Sequence, residues 1–333
     1  MKAEVLVISD SNVQVKGVRF EPVFAVASKA KKLRRIPMMR RLVKEFRPDI
    51  VHGHYLNVGG LYASLSGGKI IVGSAWGSDI YYDPKRSLRD RFLLKWVLRK
   101  CALVFAGSKN AAEAVRGYGF KGEIPIVRFG VDQNKFLRTS RHGTNEFRIL
   151  SPRHCSRIYN PKIIVEAFRR VLPKMPNAFL YLVESGNEIQ EIHQMVESDK
   201  ALASHVRFYP WKSYDQMPEL YNSMDIAISI PDSDSVAASV MEAMASELPV
   251  IVSDIPNMRE LVEHGVTGYI TRIGISDLAD RLSMVYAMRS MLPEIGKRAR
   301  AKVLNPVFQA TWESNMLVAE EAYEGLIRNR SGR

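Results

Sequence analysis

The run Asp234-Ser-Val-Ala-Ala-Ser-Val-Met-Glu242-Ala-Met-Ala-Ser-Glu-Leu-Pro-Val-Ile-Val-Ser-Asp254 decides the fold class. Two acids lie eight positions apart. The second is read as opening a short apolar helix, Glu242–Ala245, inside a helical-period run at 239–246. Pro249 then leads straight into an apolar strand at Val250–Val252. A polar loop, a short helix and a buried strand in immediate succession form half of a β-α-β unit, the building block of a parallel sheet. Carboxylates at the mouth of such a unit can grip ligand hydroxyls. A helix start there favours anions and oxygen-rich ligands.

Working outward, the same alternation fills the chain. Apolar bursts that read as strands fall at Glu4–Ile8, Arg19–Val26, Ile50–Gly53, Ile70–Gly73, Leu103–Ala106 and Ile124–Val127 in the first half. In the second they fall at Arg148–Ser151, Phe179–Glu184, Val206–Tyr209, Ile226–Ile230, Val250–Val252 and Gly268–Ile270. Helical-period segments lie between them, at 29–46, 57–66, 86–99 and 109–117, then at 160–173, 187–198, 214–223, 239–246, 257–264 and 276–290. Strand-helix alternation of this kind specifies an α/β fold with mostly parallel sheets. At 333 residues two domains are expected. The polar, aperiodic stretch Asn134–Glu146 reads as the linker, which sets domains at 1–140 and 147–305. A tail at 306–330 follows, with an amphipathic helix from Trp312 to Ile327.

Composition narrows the class. The chain is 46% hydrophobic and 25% charged, as globular proteins are. No uninterrupted apolar run reaches the roughly 18–20 residues of a spanning helix. The short run Val5–Ile8 ends in Ser-Asp rather than in a signal-type cleavage site. A cytoplasmic protein is therefore expected, with Cys101 and Cys155 as buried thiols. Charge is lopsided. Residues 1–141 carry 27 Lys and Arg against 11 Asp and Glu, while the whole chain nets +13. One cluster runs from Lys29 through Arg47, and a second holds Lys85, Arg86, Arg89, Arg91, Lys95, Arg99 and Lys100. Two such clusters point to an anionic membrane surface, hence to a peripheral place on the inner face of the plasma membrane. The plainer reading is a solvated helix surface. Nucleic acid is not favoured, because the cations lack interleaved aromatics for base stacking.

Further motifs sit where α/β sites form, after strands. Pro152-Arg153-His-Cys-Ser-Arg157-Ile-Tyr159-Asn160 follows the strand at Arg148. His52-Gly-His54, Ser74-Ala-Trp76-Gly77-Ser78-Asp79 and Arg128-Phe129-Gly130-Val131-Asp132 follow strands of the first half. Together with Asp234 and Glu242, these motifs resemble the retaining glycosyltransferases of family 4, the glycosyl transferases group 1. The likeness spans about residues 3–328.

The resemblance implies a GT-B fold, two doubly wound Rossmann-like domains facing a cleft, with the tail helix crossing back to the first domain. It implies a nucleotide-diphosphate-sugar donor held by the second domain, and a glycan, lipid-linked or small-molecule acceptor on the first. No metal or other cofactor is implied. The donor residues carried over are Arg153 and Arg157 for the diphosphate, the backbone of Val236, Ala237 and Ala238 for the distal phosphate, Glu242 for the ribose and Asp234 for the sugar. Arg153, Asp234 and Glu242 form the catalytic set, while His54, Trp76, Gly77 and Asp79 lie on the acceptor side.

Several positions depart from the family pattern. Asp234 replaces a longer Glu, and Tyr159 stands where the family has a lysine that clamps the diphosphate. Arg157, then Lys162, are the substitutes within reach for that missing cation. Trp76 replaces a histidine and so cannot move a proton, although its ring could stack on a sugar. Phe129 replaces an asparagine. The opening resembles the family's second strand, so the first strand-loop-helix unit is expected to be missing. Asp79 has a plainer reading as an N-cap for the following turn. Asp232-Ser-Asp234 also spells the metal-holding pair of GT-A enzymes, though its place at the head of the Glu242 motif favours the metal-free reading. Rival readings are a GT-B sugar-nucleotide epimerase, a degenerate nucleotide-sugar-binding protein and a nucleic-acid binder.

Overall fold

A computed structural model of the chain describes residues 3–9, 17–22, 35–128, 130–139, 143, 145–235, 237–308 and 310–331. They pack as two compact units. One comprises residues up to Ile126 together with those from Leu317 on; the other is Val127–Met316.

In the first unit, β1 (Leu6–Ser9) pairs in parallel with β2 (Arg19–Pro22). A separate parallel sheet runs β3 (Ile50–His54), β4 (Ile70–Ala75), β5 (Leu103–Ala106). Around it lie α1 (Arg35–Phe46), α2 (Gly60–Leu65), α3 (Asp83–Arg86), α4 (Leu88–Lys100) and α5 (Lys109–Gly117). Serines start the last two helices. Ser87 accepts from the Asp90 N–H and Ser108 from the Ala111 N–H, which satisfies amides that have no intrahelical partner. The core gathers Leu56, Ile80, Leu94, Val97, Leu98, Val104, Val115 and Phe120. The strand expected at Ile124–Val127 reduces to single bridges, Glu123 to Leu103 and Ile126 to Ala106. Pro125 between them has no N–H to give a ladder. The expected strand residues 23–26 and helix residues 29–34 lie outside the described residues.

The second unit is one parallel six-stranded sheet. In chain order it contains β6 (Phe147–His154), β7 (Ala178–Val183), β8 (Val206–Tyr209), β9 (Ile226–Ser229), β10 (Val250–Ser253) and β11 (Tyr269–Thr271). Their spatial order is β11-β10-β9-β6-β7-β8. Helices α6 (Pro161–Val171), α7 (Ile189–Glu197), α8 (Lys200–His205), α9 (Met217–Asn222), α10 (Ala238–Ala245), α11 (Pro256–Leu261), α12 (Ile275–Ala287) and α13 (Leu292–Leu304) connect and cover them. Helix α14 (Trp312–Ser331) starts in this unit, and from Leu317 it belongs to the other. Because strand side chains alternate in direction, Ile149, Ile226, Ile228 and Ile251 enter one core while Leu150, Ala227, Val250 and Val252 enter another on the opposite face. Both faces are covered, which is why these strands read as unbroken apolar runs.

Three features depart from the sequence expectation. Helices α3, α8 and α13 were not foreseen; in α13, Pro293 and Gly296 interrupt the apolar period. Gly296 is needed there, because a Cβ would lie 2.1 Å from the Glu247 carbonyl oxygen. The supposed linker is partly core: Phe136 is buried against Tyr214 and Tyr221, and the Thr139 amide donates to Asn222. The boundary between the units therefore falls earlier, at Ile126 and Val127. Among the described residues no helix is long and apolar enough to cross a membrane.

Candidate active site

In the second unit the chain builds β6, β7 and β8 outward in one direction, then returns to lay β9, β10 and β11 on the other side of β6. The loops leaving β6 and β9 thus diverge to opposite faces of the sheet. The crevice between them, at the carboxyl ends of the strands, is where open α/β sheets bind ligands. Both donor-side motifs hang from these two loops.

Arg153 ends β6 with three partners. Its Nη2 donates to Asp234 Oδ2 at 2.8 Å and its Nη1 to Ser239 Oγ at 3.1 Å. Its guanidinium carbon lies 4.1 Å from the Tyr159 ring centre, a cation–π distance. The ion pair is largely shielded, with side-chain exposures of 14% for Arg153 and 9% for Asp234. One turn beyond Ser239, Glu242 accepts a hydrogen bond from the Tyr221 hydroxyl at 2.9 Å. Burial raises the Glu242 pKa above the usual carboxylate range, while the Tyr221 bond and the Arg153 charge pull it back. The same burial, with Glu242 beside it, pushes the Tyr221 phenol up. Asp234, Glu242 and Arg153 are therefore brought together in one electrostatic set. Tyr221 and Ser239 complete it, and neither was foreseen. Tyr221 lies on α9, so only the tertiary fold brings it near; Ser239 sits within the motif and could have been read as a polar first-turn residue.

The structure corrects the place of Glu242. Helix α10 begins at Ala238, so Glu242 is its fifth residue and not its opening one. The helix start instead presents Ala237 and Ala238. Ala237 is the N-cap and provides no side-chain cap, leaving first-turn N–H groups for a ligand. Val236 lies outside the described residues. The two loops are also stitched together. Asn160, in a left-handed conformation (φ 54°), donates to the Ile230 carbonyl at 2.9 Å and to Asp232 at 2.8 Å, and the Asp232 amide donates to the Ile158 carbonyl. Asp232 and Asp234 thus take different hydrogen-bond partners, Asn160 and Arg153. Arg157 is exposed and, among the described residues, makes no ion pair. Lys162 is not a spare cation, because Glu191 at 2.7 Å and Glu188 at 3.4 Å hold it.

In the first unit His54, Trp76 and Tyr55 form an aromatic surface after β3 and β4. Trp76 stacks on Tyr55 (5.2 Å, 15°) and meets His54 edge-on at 5.6 Å. A π-helical turn, Tyr55–Gly59, carries Tyr55. It presses so close to β3 that a Cβ on Gly53 would lie 2.5 Å from the Gly59 backbone. Desolvation lowers the His54 pKa. His52 stacks on His54 at 4.3 Å and hydrogen-bonds Tyr323 Oη and Ser74 Oγ, each at 2.7 Å; burial and His54 bring its pKa down to about 3. Gly77 takes φ 123°, which a side chain would oppose. Asp79 is corrected. It is fully buried, its carboxylate accepting the amides of Leu56 (2.8 Å), Trp76 (3.0 Å) and Gly77 (2.8 Å). It neither faces an acceptor nor caps the following turn; it clasps the loop that carries Trp76 to the turn that carries Tyr55. Phe129 lies outside the described residues. Cys101 and Cys155 are free thiols in different units.

The family profile described as Glycosyl transferases group 1 matches residues 132–302, more than half of the chain. The chain belongs to this family. A second profile, Glycosyl transferase 4-like, matches residues 2–108 of this group 1 glycosyltransferase. The UDP-Gal:alpha-D-GlcNAc-diphosphoundecaprenol alpha-1,3-galactosyltransferase of Escherichia coli is 20% identical over 296 residues, which covers 83% of this chain and 76% of that one. The D-inositol 3-phosphate glycosyltransferase of Nocardia farcinica is 27% identical over 211 residues, 58% of this chain and 47% of that one. Among solved structures, Anabaena HepE in complex with UDP and glucose matches with a TM-score of 0.75 at 18% identity, covering 92% of this chain and 87% of HepE. A glycosyltransferase from Rickettsia africae matches with a TM-score of 0.76 at 16% identity, covering 98% and 91%. The group 1 glycosyltransferase described here accordingly has the GT-B fold, and its donor-side motifs lie inside the matched 132–302 segment.

Proposed function

We propose that this glycosyltransferase moves a sugar from a nucleotide-diphosphate-sugar to a glycan, lipid-linked or small-molecule acceptor, with retention at the anomeric carbon and without a metal ion. The observation that carries the reading is the guanidinium of Arg153 held between Asp234 and Ser239, with Glu242 one helical turn further. A departing diphosphate needs fixed positive charge and N–H donors at the place where its own charge develops. Arg153, the exposed Arg157 and the open amides of Ala237, Ala238 and Ser239 supply both. Glu242, whose pKa burial raises, accepts hydrogen bonds from the ribose hydroxyls. Asp234 releases Arg153 to the diphosphate and turns to the sugar hydroxyls. The acceptor proton passes to the leaving diphosphate on the same face, so no enzymic nucleophile is required. The E. coli and Anabaena relatives make uridine nucleotides the first donors to try.

Calorimetric titration with UDP and UDP-glucose tests the donor site. Glu242→Ala and Arg153→Ala should each abolish measurable binding, and unchanged affinity in either would contradict the assignment. Turnover with acceptor extracts, followed by NMR of the new anomeric centre and repeated with EDTA, tests retention and metal independence. Free epimerised sugar without any acceptor would instead favour epimerase chemistry, and binding without turnover a degenerate binder.

A further inference from the structure

The first unit carries an apolar surface that the sugar-transfer reading does not use. On α4 the side chains of Leu88 and Phe92 are 73% and 71% exposed, and Tyr82, just before α3, is 61% exposed. Leu88 and Phe92 are four residues apart and share one helix face, opposite Leu94, Val97 and Leu98, which enter the core. Lys95 and Arg99 follow on that outer face at helical spacing, with Arg89 and Arg91 at its flanks. Lys85 and Arg86 end α3, which packs against α4. Arg86 lies over the Tyr82 ring at 5.9 Å and Lys100 over Trp96 at 5.8 Å, so each of these two rings is covered by a cation and is not left open as a stacking platform. Among the described residues none of Lys85, Arg86, Arg89, Arg91, Lys95, Arg99 and Lys100 makes an ion pair. Only Asp83 and Asp90 oppose them within α3 and α4.

Exposed large apolar side chains ringed by uncompensated cations suit one environment, the headgroup boundary of an anionic bilayer. Rings and aliphatic chains enter the acyl edge there, and the cations remain among the lipid phosphates. We propose that the α3–α4 face docks this protein on an anionic lipid surface, with Leu88 and Phe92 inserted and the flanking lysines and arginines paired with headgroups. A second copy suits the face poorly, because a twofold contact would set the unpaired cations of one chain against the same cations of the other. The proposal does not depend on donor or acceptor identity.

Sedimentation of the full chain with vesicles tests it, read without any sugar nucleotide. The chain should bind vesicles of equal parts phosphatidylglycerol and phosphatidylcholine, fail to bind pure phosphatidylcholine, and come off as salt is raised. The double variant Leu88→Ser, Phe92→Ser changes only exposed positions, so its melting temperature should match the parent. Its partition to anionic vesicles should fall about tenfold or more. Arg89→Gln with Arg91→Gln and Arg99→Gln should remove most of the salt-sensitive part. Absence of binding to anionic vesicles, equal binding by parent and double variant, or a dimer in gel filtration that the double variant dissolves would each overturn the proposal.

Discussion

Arg153 is held from three sides, by a carboxylate, a hydroxyl and an aromatic face, before any ligand arrives. Tyr159 is the unexpected member: where the resemblance implies a second cation, this chain has a ring that steadies the first. Tyr159→Leu should therefore weaken UDP binding about three- to tenfold in calorimetry, the worth of one cation–π contact. An unchanged affinity would show that the ring is idle. At His52 the physics runs through pH. Its folded pKa, about 3, lies below the ordinary 6.5, so the unfolded chain takes up the proton first. Stability is complete above pH 6.5 and falls as pH drops through the window down to about 3, by at most about 1.4 kcal/mol per pH unit. The lowered pKa of His54 acts with the same sign, while the raised pKa of Glu242 acts with the opposite one. His52→Gln can still bond Ser74 and Tyr323, and it should flatten the acid side of the denaturant-midpoint curve. A curve of unchanged slope would rule out His52 as its cause.

Among the elements, the loop after β6 matters most, because two backbone devices determine its path. Gly186, at φ 116°, brings the loop after β7 against Cys155, where a Cβ would lie 2.3 Å from the Cys155 carbonyl oxygen. Asn160 ties the same loop to Ile230 and Asp232. Gly186→Ala has no room and the wrong φ, and should cost about 2 kcal/mol or more in chemical denaturation while displacing Arg153 enough to weaken UDP binding. Asn160→Ala removes two hydrogen bonds and a tolerated left-handed residue, for about 1–2 kcal/mol. If the loop is a rigid cradle, both variants lose donor affinity as well as stability; stability loss alone would mean that the loop merely closes the core. Helix α10 makes the complementary point, since its start at Ala238 separates the amides from the acid and lets one short helix present both.

At the scale of the molecule, the two units carry different physical properties. The second holds the donor-side constellation, and the first most of the positive charge and the exposed apolar face of α4. A ligand that binds only the folded second unit stabilises it by mass action, by about 2.7 kcal/mol at one hundred times its dissociation constant. UDP should accordingly raise the thermal midpoint of the parent chain and leave that of Glu242→Ala where it was. A shift of equal size in the variant would place the nucleotide elsewhere.

Much of this was legible in the amino-acid order. Parallel strands buried on both faces declare themselves as apolar bursts, and a motif within about twenty residues keeps its parts together whatever the tertiary fold does. Hence the α/β class, most strands and the pairing of Asp234 with Glu242 around one helix could be read from the chain. Helix α13 could not, because Pro293 and Gly296 hide its period; Pro293 sits in its first turn, and only packing on Glu247 explains Gly296. Nor could the partners that arrive from far along the chain: Arg153 finds Asp234 across 81 residues, Glu242 finds Tyr221 across 21, and His52 finds Tyr323 across 271. Asp79 shows the same limit from the other side, since a carboxylate that looks available in sequence is consumed by three backbone amides once the turn at Leu56 folds over it. Local order determined which groups this chain possesses. The tertiary structure decided which are free to meet a ligand, because burial and long-range hydrogen bonds depend on neighbours that the local sequence does not contain.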